Sequence, residues 1–71
     1  MGEKWVVVWV EQGLPRAHVV KGLLEANDIP VMLRYESVGP ALGITVDGLG
    51  RVRLLVPAAR AEEARALLED Q

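Results

Sequence analysis

The sequence predicts a small single domain of the α+β class, spanning residues 1–71. Three observations indicate this class. The run Trp5–Val10 is β-branched and aromatic, as strands are. Two later segments carry apolar residues at the spacing of a helix. Two more runs have strand character, so the predicted order is β-α-β-β-α, with both helices able to pack on one face of the sheet.

The first strand is followed by a predicted helix over residues 16–26. The segment Glu11–Leu14 interrupts the strand. Pro15 suits the first turn of a helix, because proline lacks a backbone N–H and the N–H groups of the first turn have no partner within the helix. Pro30 prevents the helix from continuing. The predicted apolar stripe of this helix consists of Val19, Val20, Leu23 and Leu24, and its polar side of His18, Lys21 and Glu25.

Two further strands are predicted at Val31–Tyr35 and Arg51–Val56, separated by the glycine-rich segment Glu36–Gly50. A connection this long in so small a domain is often functional. Within it, Ile44–Val46 has the composition of a short extra strand. Asp47-Gly48 resembles a hairpin turn.

Pro57 ends the third strand, and a second helix is predicted over residues 58–69 with a narrow apolar stripe of Ala61, Ala64 and Leu68. A right-handed crossover between the first two strands leaves room for the third between them. The predicted architecture is therefore a ferredoxin-like sheet of order 1-3-2 that lacks the fourth strand. Strict alternation places a core on the helix side, formed by Val6, Val8, Val10, Val31, Leu33, Val52, Leu54 and Val56.

The same alternation predicts an open face on the other side of the sheet. Two tryptophans, a methionine and a leucine would lie there beside three arginines, and Trp and Arg are the residues most enriched at the energetic centres of interfaces. The predicted binding face consists of Trp5, Trp9, Met32, Arg34, Arg51, Arg53 and Leu55. It would either close a homodimer, be covered by the long loop, or bind another protein or a small anionic ligand. The edge of strand one is a second surface for pairing with another copy.

The glycine-rich segment supplies a second candidate contact, at Gly39, Gly43, Asp47 and Gly48. Backbone N–H groups in such turns can bind an anion. No Lys-Ser/Thr follows the glycines and no helix begins there, so the segment is not a Walker-type phosphate loop. A small-molecule or nucleotide sensor, with an anionic ligand between this segment and the three arginines, stays an alternative function.

The composition excludes several classes of site. The 71 residues include no cysteine and one histidine, His18, so a disulfide, a thiol nucleophile and a zinc site are not expected, and neither is any cofactor or metal. No acid, base and nucleophile converge in the sequence, so no catalytic residues and no enzyme are predicted. A domain this small has a thin core and often needs a disulfide, a metal or a partner subunit for stability. With the first two excluded, oligomerisation remains, which favours a homodimer.

The net charge of −2 argues against a nucleic-acid partner, because proteins that bind nucleic acids usually carry a basic surface. A further alternative function is binding of a single-stranded nucleic acid, with its bases stacked on Trp5 and Trp9. The longest apolar run, six residues, is too short to span a bilayer or to form a signal peptide. We therefore expect a cytoplasmic protein that does not associate with a membrane.

Four segments resemble a known family. They are Trp5-Val-Val-Val8, Lys21-Gly-Leu-Leu-Glu-Ala-Asn-Asp-Ile-Pro-Val31, Val52-Arg-Leu-Leu-Val-Pro57 and Glu62-Glu-Ala-Arg-Ala-Leu-Leu-Glu69. Together they resemble a small bacterial domain described as a putative prokaryotic signal-transducing protein, over residues 4–69.

The resemblance implies a fold similar to that of the ferredoxin-like nitrogen-regulatory signal proteins, and a regulatory role. In those proteins the connection between strands two and three engages partners and nucleotide. This chain shows no matching nucleotide-binding residues, so the resemblance adds no site. The prediction is a non-catalytic binding or regulatory module that acts as a homodimer.

Overall fold

The computed structural model describes residues 3–35 and 50–69. These residues form two helices and three strands, joined at one point by a short 3-10 turn. Their order is β1 (Trp5–Gln12), α1 (Leu14–Ala26), β2 (Met32–Tyr35), β3 (Arg51–Pro57), a 3-10 turn (Ala58–Arg60) and α2 (Ala61–Glu69). Neither helix is long and apolar enough to cross a membrane within this part of the chain.

The three strands form one antiparallel sheet in the order β1-β3-β2. Strand β3 is central and pairs with both neighbours, so β1 and β2 run parallel to each other without touching. Both helices pack on the face that carries Val52, Leu54 and Val56. The predicted α+β architecture, a ferredoxin-like arrangement with three strands and order 1-3-2, is confirmed.

A β-bulge interrupts the pairing of β1 with β3. Val7 lies opposite Leu55, but Trp9 lies opposite the next residue, Leu54, so Val8 is the extra residue. Because a bulge shifts the register by one residue, every side chain after it changes face relative to strict alternation. Val8 and Trp9 both pack against the core.

The core consists of nine buried apolar side chains on the helix side of the sheet: Ala17, Leu24, Ile29, Val52, Leu54, Val56, Ala61, Ala64 and Leu68. Leu55 is also buried but faces the other side of the sheet. Val6, Val8, Val31 and Leu33 pack against the core as predicted.

Two predicted core positions are wrong. Val10 is 47% exposed because the bulge turns it to the other side of the sheet. Val19 is 73% exposed, because the buried side of α1 is centred on Ala17 and Leu24, with Val20 and Leu23 beside them. The stripe predicted for α2 is confirmed in full.

Gly13 begins helix α1 with a backbone conformation that other residues rarely adopt. Its φ is 87° and its ψ 151°, a region that is open almost only to glycine. The residue is buried; its N–H donates to the Gly50 carbonyl at 3.0 Å, and its own carbonyl accepts from Ala17 N–H at 3.3 Å. The turn between β1 and α1 thus depends on the missing side chain.

Helix α1 ends in a Schellman motif. Ile29 N–H donates to the Leu24 carbonyl at 3.1 Å, and Asp28 N–H donates to the Glu25 carbonyl at 2.9 Å. Asp28 has a φ of 64°, the left-handed conformation that this motif requires and that glycine usually supplies. Ile29 and Leu24 also pack together in the core, which is the apolar contact that accompanies the motif.

Arg60, the last residue of the 3-10 turn, links the end of α1 to the start of α2. Its Nη1 donates to the Asp28 carbonyl at 3.1 Å. Its Nε and Nη2 donate to the two carboxylate oxygens of Glu63, at 2.8 and 3.2 Å. This hydrogen-bonded arginine holds the pKa of the Glu63 carboxyl below its usual value.

We expect the substitution Gly13→Ala to lower the free energy of unfolding by about 1–3 kcal/mol, because a Cβ makes the backbone conformation at that position strained. Gly22→Ala is the matched control. A Cβ at Gly22 meets nothing within 4 Å, and it lies inside α1, so the same change should stabilise by about 0.5–1 kcal/mol. Urea unfolding followed by far-UV circular dichroism measures both. Shifts of the same sign would contradict this account of Gly13.

Candidate functional site

The candidate site is the face of the sheet that points away from both helices, which we call the open face. Directly paired residues of neighbouring strands lie on the same face, so the register defines its members. They are Trp5, Val7, Val10 and Gln12 from β1, Arg51, Arg53, Leu55 and Pro57 from β3, and Met32 and Arg34 from β2. No helix of the described chain packs on them.

One end of the open face is apolar. Val7, Leu55 and Met32 form a continuous row across the three strands, and Trp5 lies opposite Pro57 in the row beyond. Leu55, in the middle, is only 5% exposed, whereas Val7 is 37% and Met32 40% exposed. The two edge strands therefore supply the accessible apolar surface of this row.

The other end of the open face is cationic. Arg53 lies between Val10 and Arg34 in one row, and Arg51 lies opposite Gln12 in the next. Arg34 and Arg51 are exposed, while Arg53 is half-buried and makes an interaction of its own within the chain. Three guanidinium groups thus share one end of a face whose other end is apolar.

Six of the seven side chains predicted for the binding face lie on the open face, and Trp9 does not. The prediction for Trp9 is wrong because the bulge at Val8 turns it to the helix side, where it packs against the core. Its indole Nε1 donates to Glu11 Oε2 at 3.0 Å, which satisfies the one polar group of the ring. Leu55 is placed as predicted but is nearly buried.

Val10 lies on the open face although the sequence pattern placed it on the opposite side of the sheet. It was assigned to the core by strict alternation, and the bulge brings it beside Arg53. Trp5–Val10 is apolar at every position, so the pattern itself carries no sign of where a register shift occurs.

The free edge of the sheet borders the open face. Ala58 N–H donates to the Lys4 carbonyl at 2.7 Å, and Gly13 N–H donates to the Gly50 carbonyl at 3.0 Å. Hydrogen-bonded and non-bonded pairs alternate along an antiparallel ladder. The backbone groups that point away from β3 are therefore those of Trp5, Val7, Val10 and Gln12.

The other predicted contact residues, Gly39, Gly43, Asp47 and Gly48, lie outside the described residues, as do the predicted extra strand and hairpin turn. His18 lies exposed on α1. Over residues 3–35 and 50–69, no three His, Cys, Asp or Glu side chains are grouped so that they could hold a metal ion.

The model of the family described as putative prokaryotic signal transducing protein matches residues 5–71, almost the whole chain. The chain belongs to this family. Neither the curated proteins nor the solved structures contain a significant match.

Membership agrees with the resemblance carried by the helix exit through Ile29-Pro30 and the strand exit through Val56-Pro57. In the structure these two exits have clear roles. Ile29 completes the Schellman motif and Pro57 is fully buried at the end of β3. Both lie at the carboxyl end of an element that packs into the core, so the resemblance reports the fold. The family description assigns a signal-transducing role without naming a ligand or partner.

We expect Trp9→Ala to lower the free energy of unfolding by about 3 kcal/mol, because truncating a large core aromatic leaves a cavity. Trp5→Ala, the matched change on the open face, should cost clearly less. Chemical unfolding followed by circular dichroism at 222 nm compares the two. If Trp5→Ala is the more destabilising variant, the faces have been assigned the wrong way round.

Proposed function

We propose that this chain is a non-catalytic module of a signalling pathway that works by binding another protein on its open face. The observation that carries the proposal is the row Val7–Leu55–Met32, exposed at its two ends and adjoined by arginines, on a face that neither helix covers. The family to which the chain belongs, described as signal transducing, supports this role.

The residue types of the open face suit a binding surface. Apolar side chains that lie next to each other across neighbouring strands form a patch, and patches of this kind, bordered by polar groups, mark interaction sites more often than single exposed apolar residues do. Trp5 and the arginines add the side chains that contribute most to the affinity of interfaces. On the helix side the most exposed apolar residue, Val19, lies on α1 and not in a row of paired strand positions.

A binding role also suits the lack of converging chemistry. In the part of the chain that the structure describes, the carboxylates of Glu25 and Glu63 are paired with Lys21 and Arg60 on the helices. Glu11 accepts from the Trp9 indole. These carboxylates serve the fold, and no pair of them faces a nucleophile. Binding of a partner needs only the surface that the open face supplies.

We expect the double variant Val7→Thr, Met32→Gln to lose the partner, because it makes the apolar row polar with little change in shape. Val19→Thr is the control, since it makes the same change at a valine on the helix side that is more exposed than Val7. The immobilised chain and both variants are incubated with bacterial lysate, and the retained proteins are quantified by mass spectrometry.

The proposal predicts proteins that are retained by the parent chain and the control and reduced at least several-fold on the double variant. Circular dichroism checks that all three are folded. An identical set of retained proteins on parent and double variant would show that the open face is not the binding surface.

A second proposal concerns self-association as a homodimer. Two open faces packed with their cationic ends together would bring the arginines of both copies close to one another, which is unfavourable. The edge of β1 avoids this, because the outward backbone groups of Val7 and Val10 can pair with the same edge of a second copy. Such a dimer leaves the open face of each copy accessible, so the two proposals are compatible.

We expect light scattering to give twice the chain mass for the parent protein across a dilution series in the micromolar range. Val10→Pro should give the single mass, because proline removes an outward N–H without removing one that bonds to β3. Val10→Thr keeps the N–H and should keep the doubled mass. A single mass for the parent at every concentration would overturn edge pairing.

A further inference from the structure

The charges of the open face are arranged in a way that the fold does not require. Arg34 and Arg53 lie directly opposite each other on β2 and β3, and like charges in this position destabilise a sheet. Arg51 lies two residues from Arg53 on the same face. No carboxylate stands on the open face within β1, β2 and β3, because Glu11, the one acidic residue of these strands, points to the helix side with Trp9.

Two cations on the helix side, Lys21 and Arg60, have partners within the chain. Lys21 Nζ lies 3.4 Å from Glu25 Oε2 along α1, and Arg60 Nε lies 2.8 Å from Glu63 Oε1. Lys21 and Arg60 thus each have a carboxylate supplied by the same segment of chain. Because the three strands place no carboxylate beside them, the exposed Arg34 and Arg51 are arranged for a negative group that comes from outside.

We propose that the open face binds a short acidic segment of another protein. Its apolar side chains cover the row Val7–Leu55–Met32, and its carboxylates pair with Arg34 and Arg51. Arginine suits this role because its planar guanidinium can donate two parallel hydrogen bonds to one carboxylate. The inference rests on the proposed function, for which it specifies the chemistry of the partner.

The size of the open face favours a segment over a folded domain. Three strands about 4.8 Å apart are roughly 14 Å wide, and four rows of side chains cover roughly 20 Å along the strands. The open face therefore has an outline on the order of 300 Å². It presents ten residues, fewer than the roughly 20–30 that each partner contributes to a standard interface. An extended or helical peptide fits such an area, and its binding would be transient.

The balance of charge favours an acidic peptide over a nucleic acid. The chain carries a net charge of −2, so a long polyanion is repelled by the molecule as a whole and attracted only at one end of one face. Half of the open face is apolar and would stay uncovered by phosphates. Trp9, the second ring that stacking of bases would need, is in the core.

The experiment is selection from a library of short random peptides displayed on phage, with the immobilised full chain as bait. Enriched peptides are synthesised with a fluorescent label, and their affinity is measured by polarisation. We expect them to combine Asp or Glu with large apolar residues. Arg34→Glu with Arg51→Glu should weaken binding by on the order of tenfold or more. The control Arg65→Glu, an exposed arginine of α2, should leave binding unchanged.

Salt supplies a second readout, because exposed charge pairs are screened as ionic strength rises. The dissociation constant of the acidic peptides should rise several-fold between low and high salt. Their basic counterparts, with every Asp and Glu replaced by Lys, should bind only the doubly reversed variant.

The outcomes separate the two proposals. Enriched peptides without acidic residues that are still lost on Val7→Thr, Met32→Gln would overturn the acidic partner and leave the open face as a binding surface. Peptides insensitive to changes on the open face, or no enrichment at all, would overturn both. A labelled single-stranded oligonucleotide that binds the parent chain and not the doubly reversed variant would assign the arginines to nucleic acid instead.

Discussion

Strand β3 is the constraint on which the rest of the molecule depends. Each of the other strands pairs with β3 alone, so the sheet does not exist without it. Successive side chains of β3 point to opposite faces of the sheet, so the strand contributes to both the core and the candidate site. Val52, Leu54 and Val56 face the helices and form the middle of the core, whereas Arg51, Arg53 and Leu55 face the other way. Core and candidate site are therefore opposite sides of the same seven residues.

This arrangement explains why an exposed apolar row can persist in so small a domain. The core on one side of β3 holds the sheet together, and the backbone ladders on both edges hold the strands in register. Val7 and Met32, the most accessible apolar residues of the open face, contribute little to that stability because they lie on the edge strands. Their side chains are consequently available to a partner without loss of the fold.

Much of the fold was predictable because its signals are local. Proline and glycine bound the elements, and the spacing of Ala61, Ala64 and Leu68 is enough to orient α2. The order of the strands follows from the β-α-β crossover. For α1 the apolar residues are more numerous than one face can hold, so the pattern selected Val19 where packing selects Ala17.

The site was predictable only in part, since its membership depends on register. Arg34, Arg51 and Arg53 alternate with apolar residues, and this contrast assigns their face correctly. In β1 there is no contrast between neighbouring positions, and a bulge is set by how the strand fits the core rather than by any single residue. Trp9 and Val10 were accordingly exchanged between the faces.

The bulge at Val8 has a practical result, because it separates two tryptophans that are only four residues apart. Trp9 is held among core side chains with its indole N–H bonded to Glu11, while Trp5 stands at the apolar end of the open face. Each ring therefore senses a different event. The emission of Trp9 should follow unfolding, and that of Trp5 should respond to any molecule that covers the open face. With a single Trp→Phe change at either position, the protein becomes its own optical reporter for one process or the other.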